Sequence, residues 1–159
     1  MTETRSDSRP TTLDALDRKI IDALQQDGRR PYTTVARDLG VSEATIRKRV
    51  SRLQRKGVLQ IVAAVDALTL GYVRAEVGIR VLGPSISKVV KRLEAVPEVS
   101  YIELLLGSFD ISVTLNCTDN DHLLAVLGDD IRSIPGVEVV DAWTVLKVTK
   151  DIYHWSPDE

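Results

Sequence analysis

The sequence predicts an α+β chain of two small modules, and three observations carry that prediction. In the first sixty residues the apolar positions recur at three- and four-residue steps, while two later segments alternate strictly, so a helical module precedes one that contains strands. The charge changes sign along the chain: residues 1–60 hold 13 Lys/Arg and 8 Asp/Glu, a balance of +5, and residues 61–159 hold 8 and 15, a balance of -7. An apolar-Pro-x-Val sequence occurs twice, at Val96-Pro97-Glu98-Val99 and Ile134-Pro135-Gly136-Val137, its prolines 38 residues apart. A split of charge between modules points to two different kinds of partner.

Composition narrows the function classes. A hydrophobic share of 43% with 28% charged residues suits a folded chain rather than a disordered one. One cysteine, Cys117, excludes an internal disulfide and a cysteine-based zinc cluster. No apolar run approaches the roughly 20 residues that span a bilayer, and residues 1–12 are too polar for a signal peptide. A cytoplasmic location, with no membrane partner, is the default expectation. The expected organisation is a disordered tail at 1–12, a helical domain at 13–57, a linker at 58–71, an α/β domain at 72–150 and a tail at 151–159.

The first helix places Leu13, Leu16, Ile20 and Leu24 on one face. Thr12 or Asp14 can cap it, and Gly28 can end it. A second, short helix fits Tyr32 to Leu39, with Pro31 at its entry, Gly40 as its stop, and Val35, Ala36 and Leu39 inward. Ser42 caps a third, whose inward positions are Ile46, Val50 and Leu53 and whose stop is Gly57. Only Gly40-Val41-Ser42 separates the last two, which fits a helix-turn-helix.

The third helix carries Arg47, Lys48, Arg49, Arg52, Arg55 and Lys56 within ten residues and no acid among them. At 100° per residue, Ala44, Lys48, Ser51 and Arg55 point away from the apolar stripe, flanked by Thr45, Arg47 and Arg52. Small residues at its start let such a helix sit deep in a major groove of double-stranded DNA. Ser42, Glu43, Ala44 and Thr45 lie at that end. Arg47 and Lys48 can reach guanine acceptors and Thr45 a thymine methyl, while Arg52, Arg55 and Lys56 suit phosphates. Arg49 lies nearer the stripe, where an intramolecular ion pair is as good a reading as DNA contact. A plain three-helix bundle with a solvated basic face is the bland alternative.

Residues 58–65 read as an extended linker or strand, and 66–71 as a turn or short helix. In the second module Val73, Ala75, Val77, Ile79 and Val81 alternate with polar residues, as do Phe109, Ile111, Val113, Leu115 and Cys117. Ser85 opens a helix with Ile86, Val89, Val90 and Leu93 on one face. Asp119 or Asn120 opens another, with Leu123, Val126 or Leu127, Ile131 and Ile134. Strands at 99–106 and 137–148 follow the two helices. The order is strand, helix, strand, strand, helix, strand, a ferredoxin-like βαββαβ arrangement with both helices on one face of an antiparallel sheet. Apolar residues on both faces of the last-named strands call for a cover on the bare face, and a second copy of the chain is the simplest one. A homodimer would also present two reading helices to two half-sites.

Catalytic constellations are absent. His122 and His154 have no ligand partners at metal spacing, and Cys117 lies on the apolar side of a strand, as a buried structural thiol would. Tyr153-His154-Trp155 reads as a packing segment, and no cofactor is expected.

These residues resemble the Lrp/AsnC (leucine-responsive/asparagine-regulator, feast/famine) transcription factors. The similarity rests on Leu13-Asp14-x-x-Asp17-x-x-Ile20, Asp27-Gly28-Arg29, Val35-Ala36-x-x-Leu39-Gly40-Val41-Ser42 and Ile46-x-x-Arg49-Val50-x-x-Leu53-x-x-x-Gly57-Val58. Val65-Asp66, Leu70-Gly71 and Gly107-Ser108-Phe109-Asp110 extend it over nearly the whole chain. It implies a DNA-binding first module with a winged-helix-like helix-turn-helix, and a regulatory second module that forms dimers and often octamers. It also implies a small-molecule effector, an amino acid or a relative of one, bound at Leu106, Gly107, Ser108, Phe109 and Asp110. Glycine allows close approach of backbone amides to a carboxylate, and Asp110 could hold an α-ammonium group. The same residues also read as a plain hairpin turn. Leu106 stands where such proteins often have threonine, and Arg30-Pro31 where an apolar residue and a capping Ser/Thr are common. Two further readings remain: a low-specificity architectural DNA-binding protein, and an enzyme like the siroheme decarboxylases, which look similar but which the basic third helix disfavours.

Overall fold

A computed structural model describes residues 12–83 and 85–151. The tail at 1–11 and the Tyr153-His154-Trp155 segment lie outside the described residues. The chain divides into two compact units, one built on the helices that precede Val65 and the other spanning Val65–Thr149.

The first unit holds α1 (Ala15–Gln26), α2 (Tyr32–Leu39) and α3 (Glu43–Arg55). Asp14 caps α1 by accepting the Asp17 amide at 2.9 Å, and the Asp17 carboxylate accepts the Asp14 amide in return at 3.2 Å. Pro31 precedes α2 without a side-chain cap, and Gly40 ends it in the left-handed conformation at φ 67°. The Ser42 hydroxyl accepts the Thr45 amide at 3.1 Å and so starts α3 directly after that turn. Ile20, Leu24, Val35, Ala36, Ile46, Val50, Leu53 and Leu59 form one buried core, and each large aliphatic side chain removed from water there is worth about 1.5–3 kcal/mol.

The linker corrects a sequence expectation. Residues 59–65 form no strand; Leu59 docks in the first core while Val62 and Val65 stay exposed. The sheet's four strands all come from β1 onward, so the segment has no ladder partner within the described chain. A turn follows, in which Asp66 accepts the Leu68 amide and the Thr69 hydroxyl. The Thr69 bond, opposed by slight desolvation, holds the Asp66 carboxyl below its ordinary range.

In the second unit β1 (Val73–Val81), α4 (Ile86–Leu93), β2 (Val99–Leu104), β3 (Ile111–Cys117), α5 (Asn120–Ala125) and β4 (Val137–Thr144) follow in the expected order. All pairings are antiparallel, in the order β2-β3-β1-β4. The core joins Ala75, Val77 and Ile79 of β1 and Ile111, Val113, Leu115 and Cys117 of β3 to Val89, Leu93, Leu123, Val126 and Ile131.

Four features differ from the sequence reading. The second helix passes at Val126 into a π-helical turn, Val126–Ile131, which brings Val126, Leu127 and Ile131 all inward. Strand β2 stops at Leu104 rather than at 106, where the chain turns toward β3. Strand β4 stops at Thr144 rather than at 148: the Val145 amide still bonds to the Arg74 carbonyl at 2.8 Å, and β1 itself begins only one residue earlier, at Val73. Finally, Phe109 lies ahead of β3, with its ring against Gly78 on the face away from the helices. Even with Phe109 on it, that face is less apolar than expected. Strand pairing puts Arg74, Glu76, Tyr101, Glu103, Thr114, Asp141 and Trp143 on it together.

Candidate functional sites

The outward face of α3 is built as its periodicity implies. Ile46 and Leu53 are fully buried and Val50 nearly so, which fixes Ala44, Lys48, Ser51 and Arg55 toward solvent. Glu43, Ala44, Arg47, Lys48 and Ser51 surround one open depression. At the N-terminal end the Ser42 and Thr45 hydroxyls are hydrogen-bonded to each other at 2.8 Å. Arg47 is held from two sides, by an ion pair with Glu43 one turn earlier and by stacking over Tyr32 of α2, with its guanidinium carbon 5.6 Å from the ring centre. Lys48, Arg55 and Lys56 enter no ion pair among the described residues.

The remaining two cations of the cluster are turned elsewhere. Arg49 pairs with Asp14 and, at 3.0 Å, with Asp17; Arg52 pairs with the other oxygen of Asp17. Arg49 therefore makes the intramolecular pair. Arg52, expected on phosphate, instead faces α1, because position 52 lies beside Leu53 on the edge of the buried stripe. Its Nε is buried and finds no acceptor. Asp17 is 1% exposed. Burial pushes its carboxyl up, but the hydrogen bonds from Arg49 and Arg52 and from the Asp14 amide outweigh that and hold it below the ordinary range. Asp14 is lowered chiefly by Arg49, and the Arg49 guanidinium is raised chiefly by Asp14.

Helical spacing assigns no site role to Asp17 or Tyr32. A signal existed for the first: Asp17 stands four residues after Leu13 and three before Ile20, on the apolar stripe itself. Tyr32 carried no comparable signal.

The second candidate is the β2–β3 connection, residues 105–110. It is a hairpin, closed by the Leu105 amide donating to the Asp110 carbonyl at 2.9 Å. Three more bonds tie it to β1: the Asp110 amide to the Ile79 carbonyl at 2.9 Å, the Val81 amide to the Asp110 carboxylate at 2.7 Å, and the Arg80 guanidinium to the Ser108 carbonyl at 3.1 Å. Phe109 lies over Gly78 so closely that a Cβ there would stand 2.7 Å from the ring. The Phe109 ring centre is 6.3 Å from that of Trp143. Leu106, Gly107 and Ser108 are exposed. One carboxylate oxygen of Asp110 is thus spent on fastening the loop.

Elsewhere the titratable groups serve the fold. His122 accepts at Nδ1 from Thr118 and lies 3.2 Å from Glu98 at Nε2, joining α5 to the start of β2. Asp119 caps α5 through the His122 amide, and that bond is the main reason its carboxyl is lowered. Cys117 is buried, and burial raises its thiol, the opposite of an activated nucleophile. Among the described residues no group of His, Cys, Asp and Glu could hold a metal ion, and no helix is long and apolar enough to cross a membrane.

Comparison with known proteins agrees with this layout. Residues 13–54 match the AsnC-type helix-turn-helix domain, and residues 74–154 match the Lrp/AsnC ligand binding domain. The HTH-type transcriptional regulator FL11 of Pyrococcus furiosus is 35% identical over 141 residues, spanning 87% of this chain and 93% of the relative. AsnC of E. coli superposes with a TM-score of 0.73 at 28% identity, over 91% of this chain and 100% of that one. The feast or famine regulatory protein Rv3291c of M. tuberculosis, solved in complex with L-methionine, superposes with a TM-score of 0.77 at 25% identity, over 88% and 96%.

Proposed function

As the chain belongs to the Lrp/AsnC family of helix-turn-helix transcriptional regulators, we propose that it reads duplex DNA with the outward face of α3 and is tuned by an amino acid or related metabolite at the β2–β3 loop. The observation that carries the DNA half is the arrangement of α3. Ala44, Thr45, Arg47 and Lys48 lie at its N-terminal half, where a recognition helix meets base edges. Ser42 and Glu43 hold that end in shape, the one as cap and the other as the partner of Arg47. Arg55 and Lys56, a turn or more further on, take phosphate. Arg47→Ala should weaken binding to a duplex selected from a random pool by ~1–3 kcal/mol while changing random duplex less. Fluorescence anisotropy at fixed salt measures both, and equal losses on the two duplexes would overturn base reading by Arg47.

One observation favours a low-specificity reader instead. Arg47 is occupied by Glu43 and Tyr32, whereas two of the three cluster cations without an ion pair among the described residues, Arg55 and Lys56, lie at the C-terminal end, toward phosphate. Equal affinity for selected and random duplex would support that reading.

For the effector, Leu106, Gly107 and Ser108 are exposed, Phe109 and Asp110 are half-buried, and Arg80, which also pairs with Glu138, brings a cation to the loop at the Ser108 carbonyl. The relative solved with L-methionine lends an amino acid as the ligand class. A thermal-shift screen against the twenty amino acids tests this, since a ligand bound only by the folded state raises apparent stability by about 2.7 kcal/mol at a hundred times Kd. The sheet face that carries Tyr101 and Trp143 is the proposed seat of a second copy, giving a homodimer, with an octamer as the higher assembly. Sedimentation measures that directly.

A further inference from the structure

Six cations fall within ten residues of α3, yet they are not equivalent. Two of them, Arg49 and Arg52, converge on a single buried carboxylate supplied by α1. Each oxygen of Asp17 serves one guanidinium, and Asp17 also closes the cap of its own helix by accepting the Asp14 amide. A helix that needed only structural support could obtain it from the apolar stripe, and Ile46, Val50 and Leu53 already provide it. Burying an acid costs free energy unless opposite charges and hydrogen bonds compensate. Here two guanidinium groups do so, at the expense of a buried Arg52 Nε that bonds to nothing.

We propose that Asp17 is a positioning and specificity-determining residue of the DNA-binding face: it withholds Arg52 from phosphate, while Arg49 is held by Asp14 as well and stays paired without it. The inference rests on the reading of α3 as the DNA-contacting helix. Its physical content is a subtraction. Affinity for any duplex rises with each phosphate a protein neutralises, and that gain carries no sequence information. Were all six cations free, non-specific binding would compete harder with the cognate site. With Arg52 held by Asp17 and Arg49 by Asp14 and Asp17, phosphate contact falls to Arg55 and Lys56. The triad also fixes the rotation of α3 against α1, so the side chains at its N-terminal half meet the groove at one angle.

The measurement is the slope of log K against log salt on a random duplex, for the full chain, with each variant's folding checked by circular dichroism. Each phosphate contact contributes about 0.9 to that slope. Arg55→Ala should make the slope shallower by about that amount and Arg52→Gln should leave it unchanged. Asp17→Asn should steepen it by up to about 0.9 and raise affinity for random duplex, and Asp17→Asn combined with Arg52→Gln should return the slope to that of the unsubstituted chain. A merely structural Asp17 would lower the melting temperature without steepening the slope, and that result overturns the proposal. So does a shallower slope in folded Arg52→Gln, a variant that keeps the test valid even if Asp17→Asn fails to fold. A chain showing no salt-dependent duplex binding would instead overturn the reading of α3, which the Arg55→Ala arm separates from failure of this inference.

Discussion

Helix α3 and the β2–β3 loop are the two working surfaces proposed for this chain, and they are held in place by different forces. Three buried aliphatic side chains, a hydroxyl cap and a pair of ion bridges hold α3 along its length. The loop has mostly exposed residues and rests on four hydrogen bonds and one aromatic ring over a glycine. Apolar burial is stiff and cumulative, whereas a hydrogen bond near solvent is nearly exchangeable with water and contributes only about 0.5–1.5 kcal/mol. A surface that must match a fixed DNA groove benefits from the first kind of support. One that must admit and release a small molecule benefits from the second, because low-stability segments open locally at small cost.

The sharpest way to break the comparison is to remove a core contact beneath α3. Leu53→Ala should cost about 2–5 kcal/mol and abolish duplex binding at temperatures where the second unit still melts cooperatively. Two separate transitions by calorimetry would show it, and a single shared transition would mean that the two regions are not independently supported.

A smaller effect is expected at the loop. Asp110→Ala leaves the Val81 amide without its acceptor and should cost about 1–3 kcal/mol. The loss should appear as faster amide exchange at Val81 and altered Trp143 fluorescence, with duplex binding unchanged. A fall in duplex affinity equal to that of a core substitution would contradict the contrast between the two surfaces.

The smallest expected effect is on the acid side of the pH profile. The Asp17 carboxyl titrates lower in the folded chain than in the unfolded one, where its value is near ~3.9. Its pairing therefore stabilises the first unit fully at pH values above the unfolded value, and that stability is lost as pH falls through the folded value. The melting temperature of the unit should fall progressively on acidification below about pH 4. Asp17→Asn should start lower and fall less, and an equally steep fall would assign the acid limb to another carboxylate of that unit, such as Asp14.

Much of the first unit was legible because local chemistry and tertiary packing agree there. Asp14, Gly40, Ser42 and Gly57 mark the helix ends, and Ile20, Ile46, Val50 and Leu53 mark the core, all from spacing alone. The order of elements in the second unit was legible for the same reason. What spacing could not show was where a strand runs out of partner, as β4 does beyond Val145, or that residues 59–65 pair with nothing in the described chain. Nor could it show that an acid on an apolar stripe would draw in Arg52. That outcome depends on two helices meeting, and periodicity describes one helix at a time. The π-helical turn after Ala125 falls in the same category, since Val126, Leu127 and Ile131 satisfy an ordinary helix equally well on paper. For the loop, the residues were legible as a turn and their ligand role remains the proposal made above.

The register shift between Gly78 and Ile79 of β1 opposite β4 has a consequence for parity. Val137 and Val139 share a face with Val81 and Ile79, but one extra residue, Val140, then intervenes, and Ala142 and Thr144 share that face with Val77 and Ala75. The strand changes from odd to even midway, as a line of text changes meaning when one letter is inserted. It is this single insertion that sends Asp141 and Trp143 to the side away from the helices. Deleting Val140 would not merely shorten β4: it would turn a carboxylate and an indole over to the other side of the sheet at one stroke.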